Sequence, residues 1–126
     1  MVTAIIGREA YRTELLTNEH HLIADEAEEV GGKNMGPTPG EFLMVSLASC
    51  TAITLRMYAD RKRWSVEKIR VEVTSDKIDK TTVLTRHVYL EGTLDDDQRA
   101  RLLQIANACP VHKVLTNPIE IKTELR

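Results

Sequence analysis

From Phe42 to Leu55 the chain carries no charged residue, and this run decides most of what it can fold into. The apolar positions do not keep to one stripe, and the polar ones are small: Ser46, Ser49, Thr51 and Thr54. A helix apolar on nearly all sides is buried on nearly all sides. Its start is marked by Thr38 as N-cap, Pro39 at the first helical position and Glu41 completing a capping box. Its end, Asp60-Arg61-Lys62-Arg63, has the basic character that suits a helix C-terminus. A helix from about Pro39 to Arg63 would span roughly 37 Å. In a chain of 126 residues that is more than a small domain easily covers. Either a second helix and a sheet sandwich it, or a partner subunit does.

Short elements surround this helix. Val2 to Ile6, Tyr11 to Thr17 and His20 to Ala24 read as strands, with Gly7 and Asn18 in the turns. Asp25 to Pro39 is too rich in breakers for regular structure, and a loop of this length inside a small domain is often functional. Val66 to Lys77 and Thr82 to Glu91 read as a hairpin. Ile69, Val71 and Val73 alternate with Lys68, Arg70 and Glu72, whereas Leu84 to Leu90 alternates less cleanly. A second helix starts at the Asp95 N-cap, with Gln98 at its third position, and stops near Cys109 because Pro110 cannot continue it. Val111 to Leu115 reads as a short further helix and Ile119 to Leu125 as a final strand. The order βββ-α-ββ-α-β is that of an α+β fold in one domain, residues 1–126.

Composition narrows the function. A net charge of -2 leaves no basic surplus to neutralise phosphates, so no nucleic-acid partner is expected. No stretch approaches roughly 18 uncharged apolar residues, so no membrane span is expected. The start, Met1-Val2-Thr3-Ala4, lacks the basic region and long apolar run of a signal peptide. Two cysteines without such a signal point to the reducing cytoplasm, where a disulfide is more often transient and catalytic than structural.

Those two cysteines carry the candidate chemistry. Cys50 lies about three turns into the long helix, so its own helix dipole helps little. A reactive thiolate there needs a cation from elsewhere in the sequence. Arg8 and Arg12 are the candidates; Arg56, six residues along, points to a different face. Glu41, nine residues before Cys50, is off the cysteine's face and could act by orienting an arginine. Cys109 precedes Pro110, so it sits at the N-cap of the short helix, where backbone N–H groups favour a thiolate. That setting suits a resolving thiol. The plainer alternative is two buried cysteines acting as small hydrophobes. Cys109 and His112 have a C-x-x-H spacing, but structural zinc takes four ligands in paired motifs, so no metal is expected. His20 and His21 point to opposite faces of a strand. No phosphate-loop pattern accompanies Gly31, Gly32 and Gly36.

Asp25, the Gly31-Gly32 pair, Gly36-Pro37-Thr38-Pro39, Glu41-Phe42-Leu43, Ala48-Ser49-Cys50 and the later Cys109-Pro110-Val111 together resemble the OsmC/Ohr family, in its OsmC-like branch. The resemblance implies an intertwined homodimer with two central helices packed with sheets, and active sites at the subunit interface. It implies an antioxidant, stress-response peroxidase that reduces organic hydroperoxides without a cofactor. Cys50 matches the peroxidatic cysteine and Cys109 the resolving one. Arg8 falls in the first turn, where the family places an activating arginine. An external dithiol of lipoyl or thioredoxin type would be the reductant. The family's catalytic glutamate falls on Gly40 here, with Glu41 displaced by one position, which on a helix is a rotation of about 100°. That departure keeps a second reading open: a non-catalytic module binding an apolar small molecule at the dimer interface. An apolar cleft with Phe42, Met44 and Met57 would favour alkyl peroxides.

Overall fold

The computed structural model describes residues 1–126. The chain divides into two compact units, Met1–Leu43 and Met44–Arg126.

The first unit is an antiparallel meander of β1 (Thr3–Ile6), β2 (Thr13–Leu16) and β3 (His21–Ala24), paired in that order. The strands are shorter than the sequence implies at β2, because Thr17 is drawn into the turn. Its N–H donates to the His20 carbonyl at 2.9 Å, and its hydroxyl accepts from the His20 N–H at 3.1 Å. The loop from Asp25 to Thr38 contains a single 3-10 turn, Glu28–Val30. It is organised around the Asp25 carboxylate, which is 1% exposed. One oxygen accepts from the N–H of Glu26 at 2.7 Å and of Tyr11 at 3.3 Å. The other accepts from the N–H of Met35 at 3.1 Å and of Lys33 at 3.4 Å. Gly36 passes so close to β3 that a Cβ there would overlap the Ile23 carbonyl, so the position requires glycine.

Burial pushes the Asp25 pKa up, but the four N–H donors outweigh it and hold the carboxyl below its ordinary value. A carboxyl with a depressed folded pKa contributes stability that is present above its unfolded pKa, near 3.9, and is lost as pH falls through the folded value. Asp25→Asn replaces one acceptor oxygen by an amide that faces N–H donors. The variant is expected to melt several degrees below wild type at pH 7, with the gap closing toward pH 2. A constant gap from pH 7 to pH 2 would mean that the ionised carboxylate is not what holds the loop.

α1 (Pro39–Lys62) begins in the first unit and continues through the second. Its predicted capping box is present: Glu41 N–H donates to Thr38 Oγ1 at 3.2 Å, and Thr38 N–H donates to the Glu41 carboxylate at 2.8 Å. The second unit then holds the antiparallel hairpin of β4 (Ser65–Ile78) and β5 (Thr81–Thr93), followed by α2 (Asp96–Ala106) and α3 (Pro110–Thr116). The core joins Leu55, Tyr58 and Ala59 of α1 to Val66 of β4 and Leu102 and Ala106 of α2. Ile69 pairs with Leu90, Val71 with Val88 and Val73 with Arg86, which fixes the inward face of the hairpin. A bulge between Val66 and Lys68 shifts the register opposite Gly92, whose φ of +138° and close approach to the Ser65 carbonyl both exclude a side chain. α2 starts on the predicted Asp95–Gln98 capping box.

Three expectations change. α1 is buried along one stripe only, Leu47, Thr51, Leu55, Tyr58 and Ala59. Val45, Ile53 and Met57 remain 51%, 54% and 68% exposed, because one copy of the chain covers one face of the helix. On length and composition α1 is also apolar enough to cross a membrane, contrary to the reading that no segment approaches this. A few charged residues toward its end do not lower the average enough to exclude it. The third concerns Ile119 to Leu125, which is not a strand. The alternation is there, but a strand exists only where a ladder of hydrogen bonds forms, and no strand of this chain pairs with it. Ile119 and Ile121 are left 60% and 83% exposed.

Candidate active site

Both cysteines are free thiols, Cys50 half-buried on α1 and Cys109 fully buried. Cys50 is among the groups whose proximity lowers the pKa of the Cys109 thiol. Two elements bring this proximity about. The stripe of α1 that buries Leu47, Thr51 and Leu55 brings the neighbouring Cys50 along, and Pro110 ends the preceding turn so that Cys109 becomes the N-cap of α3. The Cys109 sulfur accepts the His112 N–H at 3.3 Å.

Thr51 and Arg86 complete the surroundings of Cys109. The Thr51 hydroxyl lies 2.7 Å from the Leu47 carbonyl and 3.8 Å from the Cys109 sulfur, and can donate to one of them at a time. Arg86 donates through Nη1 to Thr51 Oγ1 at 3.0 Å. Its Nη2 donates to Asn107 Oδ1 at 2.8 Å and meets His112 Nδ1 at 3.3 Å. A guanidinium only donates, so His112 Nδ1 is the acceptor in this contact. Burial pushes the Cys109 thiol up, but the His112 N–H, Cys50, Thr51 and the Arg86 charge together outweigh it and hold the pKa below that of an ordinary thiol.

Of the arginines singled out in the sequence, Arg8 lies exposed in the bend after β1. Arg12 is paired with Glu14 at 3.1 Å. Arg56 donates to the Val66 carbonyl at 2.7 Å, tying α1 to β4. The Glu41 carboxylate is engaged in the helix cap. Met57 is exposed and lines a shallow groove with Ile53 and Ile69. His21 Nε2 lies 3.8 Å from Glu14. His112 presents Nδ1 to a guanidinium, which leaves that nitrogen unavailable to a metal. Arg86 and Thr51 are the residues that sequence reasoning missed. The signal was present. Arg86 occupies the same face of β5 as Leu84, Val88 and Leu90, so it is a charge in an apolar register, and it is why that strand alternates poorly. Thr51 is one of the two fully buried polar side chains of the chain.

Solved structures share this architecture at low sequence identity. An OsmC-like protein from Mycoplasma pneumoniae is 16% identical, with a TM-score of 0.78 over 91% of this chain and 85% of that one. An organic hydroperoxide resistance protein, OsmC, from Legionella pneumophila is 20% identical, with a TM-score of 0.66 over 92% and 88% of the two chains. An organic hydroperoxide resistance protein from Elizabethkingia anophelis is 16% identical, with a TM-score of 0.69 over 94% and 89%. No curated protein matches the sequence. The family model for OsmC-like proteins matches residues 31–124, which include both cysteines, Thr51, Arg86 and His112. With that match over most of its length and the same fold in its structural relatives, the chain belongs to the OsmC-like protein family.

Proposed function

We propose that the chain is a cytoplasmic thiol peroxidase that reduces organic hydroperoxides. The observation that carries this reading is the placement of the half-buried Cys50, whose neighbour Thr51 lies 3.8 Å from the Cys109 sulfur, beside a Cys109 whose surroundings favour the thiolate. The hydroperoxide-resistance relatives support it. The half-buried Cys50 is the attacking thiol. Its thiolate takes the terminal oxygen of the hydroperoxide, the O–O bond breaks, and the leaving alkoxide picks up a proton to give an alcohol. Cys50 is now a sulfenic acid. The Cys109 thiolate attacks that sulfur, water leaves after protonation of the hydroxyl, and a disulfide forms. An external dithiol, lipoyl or thioredoxin in type, exchanges with the disulfide and restores both thiols. Arg8 is the proposed cation for Cys50 and Glu41 the carboxylate that orients it, once released from the helix cap. Reaction with one equivalent of cumene hydroperoxide tests the reading. The expected result is loss of two titratable thiols and recovery of both on adding dithiol. Retention of both thiols would replace the enzyme with a binding module.

The functional unit is proposed to be a homodimer of a single domain, 1–126. Val45, Ser49, Ile53 and Met57 recur every fourth residue along the exposed side of α1, an apolar stripe of the kind a second helix covers. Ile119 and Ile121 offer a second apolar row without a partner. Unfolding of such a dimer is linked to protein concentration. The midpoint of thermal unfolding is expected to rise steadily from low to high micromolar protein. A midpoint independent of concentration, with a monomeric mass in sedimentation, would remove the dimer.

A further inference from the structure

A cavity of about 460 Å³ lies in the second unit beside the thiol pair, between α1, β5, α2 and α3. Its volume falls in the range of small-molecule pockets. Leu84, Val88 and Leu103 contribute to an aliphatic wall, and Arg86, Asn107 and His112 form its polar end. Neither cysteine lines it, and no acidic side chain does. Arg86 is the one charged residue of the lining. Its three hydrogen-bond partners, Thr51, Asn107 and His112, are all neutral acceptors, and it takes part in no ion pair. A guanidinium at the end of an apolar cavity is complementary to a carboxylate that carries a hydrocarbon tail.

We propose that this cavity binds a small apolar monocarboxylate, with the carboxylate on the Nη2 edge of Arg86 and the tail along Leu84, Val88 and Leu103, and that occupancy makes the Cys109 thiol harder to ionise. The site is distinct from the one where peroxide meets Cys50, since neither sulfur faces the cavity. The link to Cys109 runs through charge. The sulfur is surrounded by Cys50 and Thr51 of α1, the His112 N–H of α3 and the Arg86 guanidinium of β5. Arg86 is the only full charge among them. A bound carboxylate neutralises it and removes its support for the thiolate. Neither the binding nor its effect on Cys109 rests on the peroxidase reading.

Octanoate, octanol and octylamine are the probes, titrated calorimetrically into the full-length protein without peroxide. Octanoate is expected to bind at least about tenfold more tightly than octanol, as a charge-assisted pair requires, and octylamine least. Arg86→Met should lose the preference and Arg86→Lys keep part of it. The thiolate absorbance of Cys109 against pH, followed in Cys50→Ser, should shift to higher pH with octanoate and stay put with octanol. Equal binding of acid and alcohol by the wild type, no binding of either, or undiminished octanoate binding by a folded Arg86→Met would overturn the site. Tight octanoate binding with an unmoved thiolate absorbance profile would overturn the link to Cys109. The wild-type comparison of acid with alcohol decides the site even where Arg86→Met does not fold. Failure of peroxide to consume thiols would sink the peroxidase reading and leave these outcomes untouched.

Discussion

Cys50→Ser is expected to bring peroxide consumption down to the uncatalysed background, whereas Cys109→Ser should retain a single turnover. The asymmetry follows from the two steps. The first oxidation needs only the attacking thiolate, and recycling through a disulfide needs its partner. A half-buried Cys50 can meet a peroxide, while Cys109, at 0% exposure, meets only its neighbours. In Cys109→Ser the sulfenic acid has no thiol to condense with, so dimedone should label Cys50 in stoichiometric amount. In the wild type labelling should be slight, because a Cys109 thiol held below its ordinary pKa closes the disulfide quickly. Dimedone found on Cys109 in the Cys50→Ser variant would exchange the two roles.

The largest stability effect is expected at Leu55, which is completely buried and joins α1 to β4 and α2. Leu55→Ala removes the aliphatic side chain and leaves a cavity that the helix and hairpin cannot collapse into. The cost is about 2–5 kcal/mol. For a chain of this size that lowers Tm by roughly 10 °C or more. Leu55→Met keeps the volume and should cost under about 1.5 kcal/mol. Calorimetry of the two variants separates cavity formation from a general intolerance of substitution. Equal losses would mean that shape rather than buried volume sets the cost.

What the sequence made legible was local. Thr38 with Glu41 and Asp95 with Gln98 signal helix starts through bonds that span three residues, and Pro110 places Cys109 on the next N-cap. These need no knowledge of the rest of the chain. The strands were readable as alternation, and their ends less so, because a side-chain bond such as Thr17 to His20 decides where a strand yields to its turn. The last segment shows the limit. Ile119 to Leu125 alternates like a strand, but pairing is a property of two strands, and its partner is not in this chain's own sheets. Arg86 escaped for a related reason. A cation on β5 becomes part of the Cys109 environment only once the hairpin packs against α1 and α3, an arrangement that spacing along one strand does not encode.

The single proton of the Thr51 hydroxyl has a consequence for the helix that carries it. While Cys109 is protonated, that hydrogen goes to the Leu47 carbonyl one turn back, doubling the load on an oxygen that also serves the helix ladder. When Cys109 loses its proton, the sulfur becomes the stronger acceptor and draws the hydroxyl away, with Arg86 steadying the oxygen from the other side. The backbone of α1 at Leu47 thereby registers the ionisation of a thiol that lies 58 residues beyond Thr51 in the chain. Once the sulfur is tied into a disulfide it has no negative charge to offer, and the hydrogen returns to the helix. α1 is thus a scaffold with an internal reporter, and the charge on Cys109 is written in the polarity of one of its peptide groups.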